Sequence, residues 1–368
     1  MKKSVFYGSV FLMILFMHSL SMAQSKFDSL QWKTVVYSQP DDWYGSAEAA
    51  KVAENVLLYQ RNVGGWPKNT PFHQTLTEMQ KSDLRKLQTV GEGATTDNSA
   101  TTMEMTFLSK VYKKNKDERY KNAFLKGLDY LLEAQYENGG WPQFYPLRKG
   151  YYTHITYNDD SMVHIMELIK AVAENKGVYS IPVDEARVKR CGKAFEKGIS
   201  VILKTQYKQY GIPTVWCAQH DEVTLEPAKA RSYELPSLSG AESAGIVLML
   251  MKIENPSKEI IVAVRSAVAW FEKAKITGCK IEYFINKDGM KDRGIVADKN
   301  APALWARFNE LADNRPFFCD RDGIKKYTLA EIGYERRNGY SWYGTGPQMV
   351  LDEYKKWQPK WAPGKNFN

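Results

Sequence analysis

One pattern recurs along the chain. Leu57–Leu58–Tyr59–Gln60 precedes Gly64–Gly65–Trp66–Pro67, and Leu131–Leu132–Glu133–Ala134–Gln135 precedes Gly139–Gly140–Trp141–Pro142. A worn third copy runs Ile202–Leu203–Lys204–Thr205–Gln206 and then Gly211–Ile212–Pro213. The first glycines fall 75 and 72 residues apart. A fourth copy starts at Ala267–Val268–Ala269–Trp270–Phe271 and ends at Gly278. A fixed period of this size marks an architecture of stacked supersecondary units. In each copy apolar residues at helical spacing end in Gln, and glycine stops the helix by accepting a left-handed backbone. The Trp before Pro is biased towards extended structure.

A second helix is expected after each extended segment. Thr95–Thr96–Asp97–Asn98–Ser99, Thr156–Tyr157–Asn158–Asp159–Asp160 and Ser237–Leu238–Ser239–Gly240 supply capping residue types before apolar runs. Those runs are poor in charge at their starts, so the second helices read as an inner layer, and the Lys- and Glu-rich first helices as an outer one. The expected fold is all-α: an (α/α)3 toroid of outer/inner helix pairs, with long loops forming a groove on one face. The inner helices would aim their N-termini at that face and gather Asp97, Asn98, Asn158, Asp159, Ser239 and Glu242 there.

The N-terminus places the chain in a cell. Lys2 and Lys3 precede an apolar run from Val5 to about Met17, then Ser21–Met22–Ala23. This is the anatomy of a secretory signal peptide cleaved after Ala23. The run falls short of the ~20 residues that span a bilayer, and no other stretch is apolar enough. The expectation is a leader over 1–23 and one catalytic domain over 24–368, secreted or periplasmic, without a membrane span and monomeric.

The formal charge is +9, and removing Lys2 and Lys3 leaves +7. A basic exported protein suits a polyanionic partner. No Lys/Arg-rich tract of the kind that contacts phosphates is present, which disfavours nucleic acid and leaves acidic polysaccharide. Cys191, Cys217, Cys279 and Cys319 form no CxxC motif. The compartment permits disulfides, and three pairings or none remain open.

Three groups of residues carry chemistry. Asp97–Asn98 and Asn158–Asp159–Asp160 occupy equivalent points of two repeats and offer oxygen ligands of the sort calcium takes; each alone would serve equally as a helix cap. Lys229–Ala230–Arg231–Ser232–Tyr233–Glu234–Leu235 is a compact basic segment on the loop side of the third inner helix, and arginine suits planar carboxylates; it would equally serve as a solvated loop. Asp320–Arg321–Asp322–Gly323 and Glu335–Arg336–Arg337–Asn338–Gly339–Tyr340–Ser341–Trp342 combine arginines with aromatics, as a sugar-acid subsite would. A plain turn with an internal ion pair, and one exposed and one structural arginine, are the alternatives. His73, His154, His164 and His220 show no metal-ligand spacing. The repeat-locked Trp66 and Trp141 read as core rather than sugar platforms.

These segments, with Pro142–Gln143–Phe144–Tyr145–Pro146 and Val215–Trp216–Cys217–Ala218–Gln219–His220, resemble the pectate lyases of polysaccharide lyase family 10 from about Tyr44 to Trp357. The resemblance implies an (α/α)3 toroid, polygalacturonate as substrate, calcium as cofactor and an anti-β-elimination with an arginine base, matched here by Arg231. It implies Asp97 and Asp159 near calcium and substrate. Asn98, Asn158, Lys229, Arg321, Arg336 or Arg337, and Trp342 are the further candidates for binding substrate. The chain departs from the family pattern at Ser99 and Asp160.

An arginine base is far from the pKa that suits general base catalysis near neutrality. Neighbouring cations, Lys229 and calcium among them, and an alkaline working pH would both favour its neutral form. Three other readings compete. A toroid-fold glycoside hydrolase would act on the same polymers, and a non-catalytic pectin-binding protein would release no product. An isoprenoid cyclase is suggested by Gln before Gly–Gly–Trp but opposed by the missing Asp-x-Asp-Asp motif and by export.

Overall fold

Each repeat glutamine stitches its own hairpin to the next. The computed structural model describes residues 27–363; the leader expected over 1–23 lies outside them. Gln60 donates through Nε2 to the carbonyls of Gly64 (2.7 Å) and Ala123 (2.8 Å). Gln135 does the same to Gly139 (3.0 Å) and Ala194 (2.9 Å), and Gln206 to Thr214 and Ala263, both at 2.9 Å. One side chain thus satisfies carbonyls in its own connecting loop and in the following outer helix. That explains why Gln recurs at a helix end where buried backbone acceptors would otherwise go unpaired.

The tryptophans form the second stitch. Trp66 and Trp141 are fully buried, and each donates its indole N–H to a carbonyl of the preceding helix, Val56 and Leu131, at 2.7 Å. Trp216 bonds Ile202 in the same way and Trp305 bonds Phe271. The third and fourth copies therefore keep the tryptophan, displaced downstream by longer loops. Glycines facing this core are packing residues. A Cβ on Gly198 would sit 2.2 Å from Sδ of Met166 and 3.3 Å from the Trp141 ring, and one on Gly127 would sit 2.9 Å from Sδ of Met105 and 3.0 Å from Trp66. Outer helices approach inner ones closely there because no side chain intervenes.

The described chain clusters into two compact units. The first runs to Ala94 and includes Ala100–Leu128 and Tyr179–Pro182. It holds the helices Trp32–Tyr37, Ala47–Tyr59, Glu78–Thr89 and Thr102–Asn115. Glu78–Thr89 is an added helix inside the first connection, started by a capping box between Thr77 and Gln80. The second unit comprises Thr95–Ser99, Asp129–Val178 and the chain from Val183 onward. It holds the pairs Ser161–Glu174 with Glu185–Thr205, and Gly240–Met251 with Lys258–Lys273, followed by Tyr334–Gly339 and Gly346–Trp361. Helix Glu118–Glu133 contributes residues to both units.

The layering follows the sequence. Eight residues of Ser161–Glu174 and eight of Gly240–Met251 are buried, most of each helix. The outer helix Glu185–Thr205 buries only a stripe, Cys191, Ala194, Gly198, Val201, Ile202 and Thr205, at helical spacing. Strands are short two-stranded ladders, and the longest pair is Cys279–Ile285 with Lys291–Ala297. All four cysteines are free thiols, and Cys191, Cys217 and Cys319 are buried.

Candidate active site

Two tight turns stand at the mouths of two inner helices. Asp97–Ser99 and Asn158–Asp160 are single 3-10 turns, with Asn98 (φ 52°, ψ 39°) and Asp159 (φ 52°, ψ 36°) in the left-handed region. Asn and Asp tolerate that conformation better than other side chains. Neither pair caps a helix: the residues flanking the helices are Thr101 and Asp160, and neither makes a side-chain capping bond. The copies also exchange chemistries, because Asp97 stands where the other has Asn158, and Asn98 where it has Asp159. The hydroxyls of Thr96 and Ser161 meet at 2.8 Å and join the turns. Asp159 feels the result. Burial raises its carboxyl above the usual range, Arg307 opposes this, and Glu242 and Asp97 add to it by repulsion.

The third inner helix starts as the sequence suggests, with Ser239 accepting from the Glu242 N–H. Glu242 is buried, takes the Ser239 hydroxyl on one oxygen, and receives Arg307 on the other at 3.0 Å. Through the same Nη2, Arg307 reaches Oδ1 of Asn158 at 3.0 Å and Oδ1 of Asp159 at 3.5 Å. Its guanidinium lies 4.7 Å from the centre of the Tyr340 ring. Burial opposes the Arg307 charge, but Glu242 foremost, with Tyr340 and Asp159, holds it above its ordinary pKa. The Arg307 side chain is 13% exposed, so this cation is part of the floor of the site.

Arg231 is on the same network. It forms a two-point pair with Glu234, Nε to Oε2 at 2.7 Å and Nη2 to Oε1. Glu234 is buried, and its Oε1 also accepts the Tyr340 hydroxyl at 2.9 Å. A continuous path therefore runs Arg231–Glu234–Tyr340–Arg307–Asp159. At 46% side-chain exposure Arg231 remains open to a ligand. Its bonds to Glu234 hold its pKa above the arginine value, against the effect of burial.

The remaining candidates divide. Arg336 lies 4.5 Å from the centre of the Tyr233 ring, with Arg231 at 5.0 Å and Arg321 at 5.7 Å from the same ring. Arg336 and Arg321 share Glu335, whose carboxyl is drawn down to about 2, by Arg336 first and then Arg321. Arg337 turns the other way, gripping Asp292 at 2.8 and 2.7 Å and the Ile332 carbonyl at 2.8 Å. Trp342 is 1% exposed in a cluster with Phe308, Phe318 and Tyr233, and its indole N–H is taken by the Arg336 carbonyl. Its ring has no free face for a sugar, which corrects the expectation that it binds substrate. Lys229 is exposed, and across the shared Tyr233 ring the Arg231 charge acts against that of Arg336.

Comparison with known proteins decides the family. The pectic acid lyase family model matches residues 60–351. The chain belongs to this family. Among solved structures, the family 10 polysaccharide lyase from Cellvibrio cellulosa superposes with a TM-score of 0.73 at 37% identity, covering 86% of this chain and 95% of that one. A mutant of the family 10 lyase from that organism, in complex with trigalacturonic acid, gives 0.73 at 36% identity, covering 89% and 98%. No curated protein matches the chain. The protein is thus a pectate lyase of family 10, in the all-α (α/α)3 toroid class expected from the repeat.

In this lyase the donors suited to calcium are oxygens of Asp97, Asn158, Asp159 and Glu242. Glu242 and Asp97 raise the proton affinity of Asp159 by repulsion, which a hard cation relieves, so the residues fit. A separate cluster, His154, Asp221 and Glu222, brings its ligand atoms within 4.8 Å of one another, which sequence spacing does not reveal. Oδ1 of Asp221 already accepts the N–H groups of Val223 and Thr224, and His154 pairs with Glu222 at 3.0 Å. A nitrogen donor there suits calcium less well than the all-oxygen set.

Sequence reasoning missed Arg307 as part of the site. It lies in Leu304–Trp305–Ala306–Arg307–Phe308, a segment with no motif of its own. The one usable signal was Glu242, a carboxylate in the first turn of an apolar helix, which needs a cation once buried.

Proposed function

We propose that the lyase cleaves (1→4)-α-D-galacturonan by calcium-assisted β-elimination, with Arg231 as the base. A uronate carries its carboxylate on C5, which makes the C5 proton removable. Calcium, held by Asp97 and Asp159 with Asn158 and Glu242 beside them, would neutralise that carboxylate and acidify the proton. Arg231 takes the proton, the C5–H electrons form the C4–C5 double bond, and the C4–O bond breaks with the glycosidic oxygen leaving. No water is consumed, so the spaced carboxylate pair of a hydrolase is not needed.

The other residues bind and orient. Arg336 and Arg321, around Tyr233, offer cations to uronate carboxylates next to the reacting one. Arg307 presents a buried Nε with no partner among the described residues. Glu234 fixes the plane of Arg231 and stabilises its protonated form. The neutral guanidine is therefore an alkaline species, and an alkaline optimum follows. The observation that carries this reading is the path joining Arg231 to Asp159 through Glu234, Tyr340 and Arg307.

We also propose that the protein is exported with cleavage after Ala23 and acts as a monomer; N-terminal sequencing and light scattering of the secreted form test these. The catalytic test is incubation with polygalacturonate, with calcium or with a chelator, followed by the ultraviolet absorbance of unsaturated uronide. Calcium-dependent absorbance supports the reading. Reducing ends without absorbance would make the protein a hydrolase, and binding without either would make it a pectin-binding protein.

A further inference from the structure

The fourth repeat carries an insertion. After Gly278 the chain leaves the expected path, forms the hairpin Cys279–Ile285/Lys291–Ala297, and returns at Asp298, whose N–H bonds the Gly278 carbonyl at 2.9 Å. Ile276 and Leu304 then pair across the base, just before the stitching Trp305. The hairpin turn is built by Asn286, whose side chain accepts from the N–H groups of Asp288 and Met290, and by Gly289 at φ 75°. Nothing in the repeat requires this arm. Yet it exposes Tyr283 (58%), Phe284 (46%) and Ile285 (68%), consecutive apolar residues that a merely solvated hairpin would not keep.

The arm is tied to the active site. Opposed residues share a face of a hairpin, and the register pairs Tyr283 with Arg293 and Ile285 with Lys291. Arg293 on this face donates to the carbonyls of Arg337 (2.6 Å) and Tyr340. Tyr340 is the residue that joins Glu234 to Arg307. Asp292, on the opposite face, is clamped by Arg337 and by Asn338 at 2.8 Å. Farther along the Arg293 face, Lys291 places its ammonium 5.0 Å from the centre of the Tyr283 ring. An exposed ring beside an exposed ammonium offers contact for the C–H face of a sugar and a charge for its carboxylate.

We propose that Tyr283 and Lys291 form a distal subsite for a galacturonate residue of the same polymer, beyond those around Arg231. The occupant follows from continuity with the Tyr340–Arg293 contact and from the match of Lys291 and Arg293 to a polyanion. This inference rests on the galacturonan reading above.

The test measures trimers, hexamers and polygalacturonate on wild type and on Tyr283→Ala and Lys291→Ala. The expected result is trimer turnover within about twofold of wild type, and a KM for hexamer and polymer raised about five- to tenfold, one contact's worth of binding energy. Unchanged KM at every length, or an equal rise at every length, would overturn the subsite. So would wild-type self-association that the variants abolish, because the arm would then be a surface for a second copy. Calorimetry with the same oligomers on Arg231→Ala, with and without Tyr283→Ala, separates the two readings. If wild type releases no unsaturated product, the catalytic reading fails, and the subsite still stands or falls on whether Tyr283→Ala weakens hexamer binding more than trimer binding.

Discussion

Arg231 and Glu234 sit three residues apart and face each other squarely, with Nε and Nη2 of one on the two carboxylate oxygens of the other. The arrangement is suited to orientation and opposed to basicity. A carboxylate fixes the guanidinium plane, but it favours the charged form, and here it holds the Arg231 pKa above its ordinary value.

The pair therefore predicts a direction. In Glu234→Gln the amide keeps a hydrogen bond and loses the charge, so the neutral guanidine becomes easier to form. The acidic limb of the kcat/KM profile should move to lower pH, by about one unit, even if the maximal rate falls. A limb that stays in place would mean that the titrating base is not Arg231.

Adjacent arginines should fail differently. Arg336 lies against Tyr233 among the other cations, and Arg336→Ala should raise KM about tenfold, the order of one charge-assisted pair. Arg337 holds Asp292 near the turn end of the hairpin. Arg337→Ala should lower the melting midpoint and leave KM for trimer near wild type. Steady-state kinetics beside thermal denaturation distinguishes the two, and the reverse pattern would exchange their roles.

How much of this was legible beforehand depends on the kind of contact. The helix pairs could be read because Gln60, Gln135 and Gln206 repeat at a fixed interval, and a repeat carries its tertiary logic in the sequence. The aspartates at two helix mouths were legible for the same reason, although their left-handed turns were not, since Asn and Asp also make ordinary caps. Arg307 was illegible because its partners Asn158, Asp159 and Glu242 are 149, 148 and 65 residues away. The choice between Arg336 and Arg337 depended on Asp292 in the hairpin. That hairpin did leave a trace, with Ile281, Tyr283 and Ile285 alternating ahead of Asp288–Gly289, which the surrounding helical pattern obscured. Trp342 was misread because aromatic–arginine clusters look alike in sequence whether the ring is a platform or a core.

Removing Arg307 should cost stability as well as activity. Glu242 is 3% exposed, and a buried carboxylate that loses its cation costs about 3–5 kcal/mol. Arg307→Met should show that loss in urea denaturation, and adding Glu242→Gln should recover most of it by removing the stranded charge. A double variant no more stable than the single one would show that the pair does not govern folding of this region.

A last prediction concerns a glutamate with no part in catalysis. Glu104 lies in the first turn of helix Thr102–Asn115 at 1% exposure. One oxygen accepts the Trp32 indole N–H at 2.7 Å, and the other has no partner among the described residues. Burial pushes its pKa up to about 7, against the hydrogen bonds that would lower it. Between the unfolded value of 4.5 and about 7 the folded chain holds a proton that the unfolded chain has released. Stability from this group is therefore fully present below that window, declines through it, and stays low above it. The loss is on the order of 3 kcal/mol. An alkaline working range would place the enzyme where Glu104 is charged and most costly. Glu104→Gln keeps an acceptor for Trp32 and removes the charge. Urea denaturation at about pH 5 and about pH 8 should find the variant close to wild type at the lower pH and clearly more stable at the higher. Equal stability at both would place the Glu104 ionisation outside this window and assign the pH dependence to other groups.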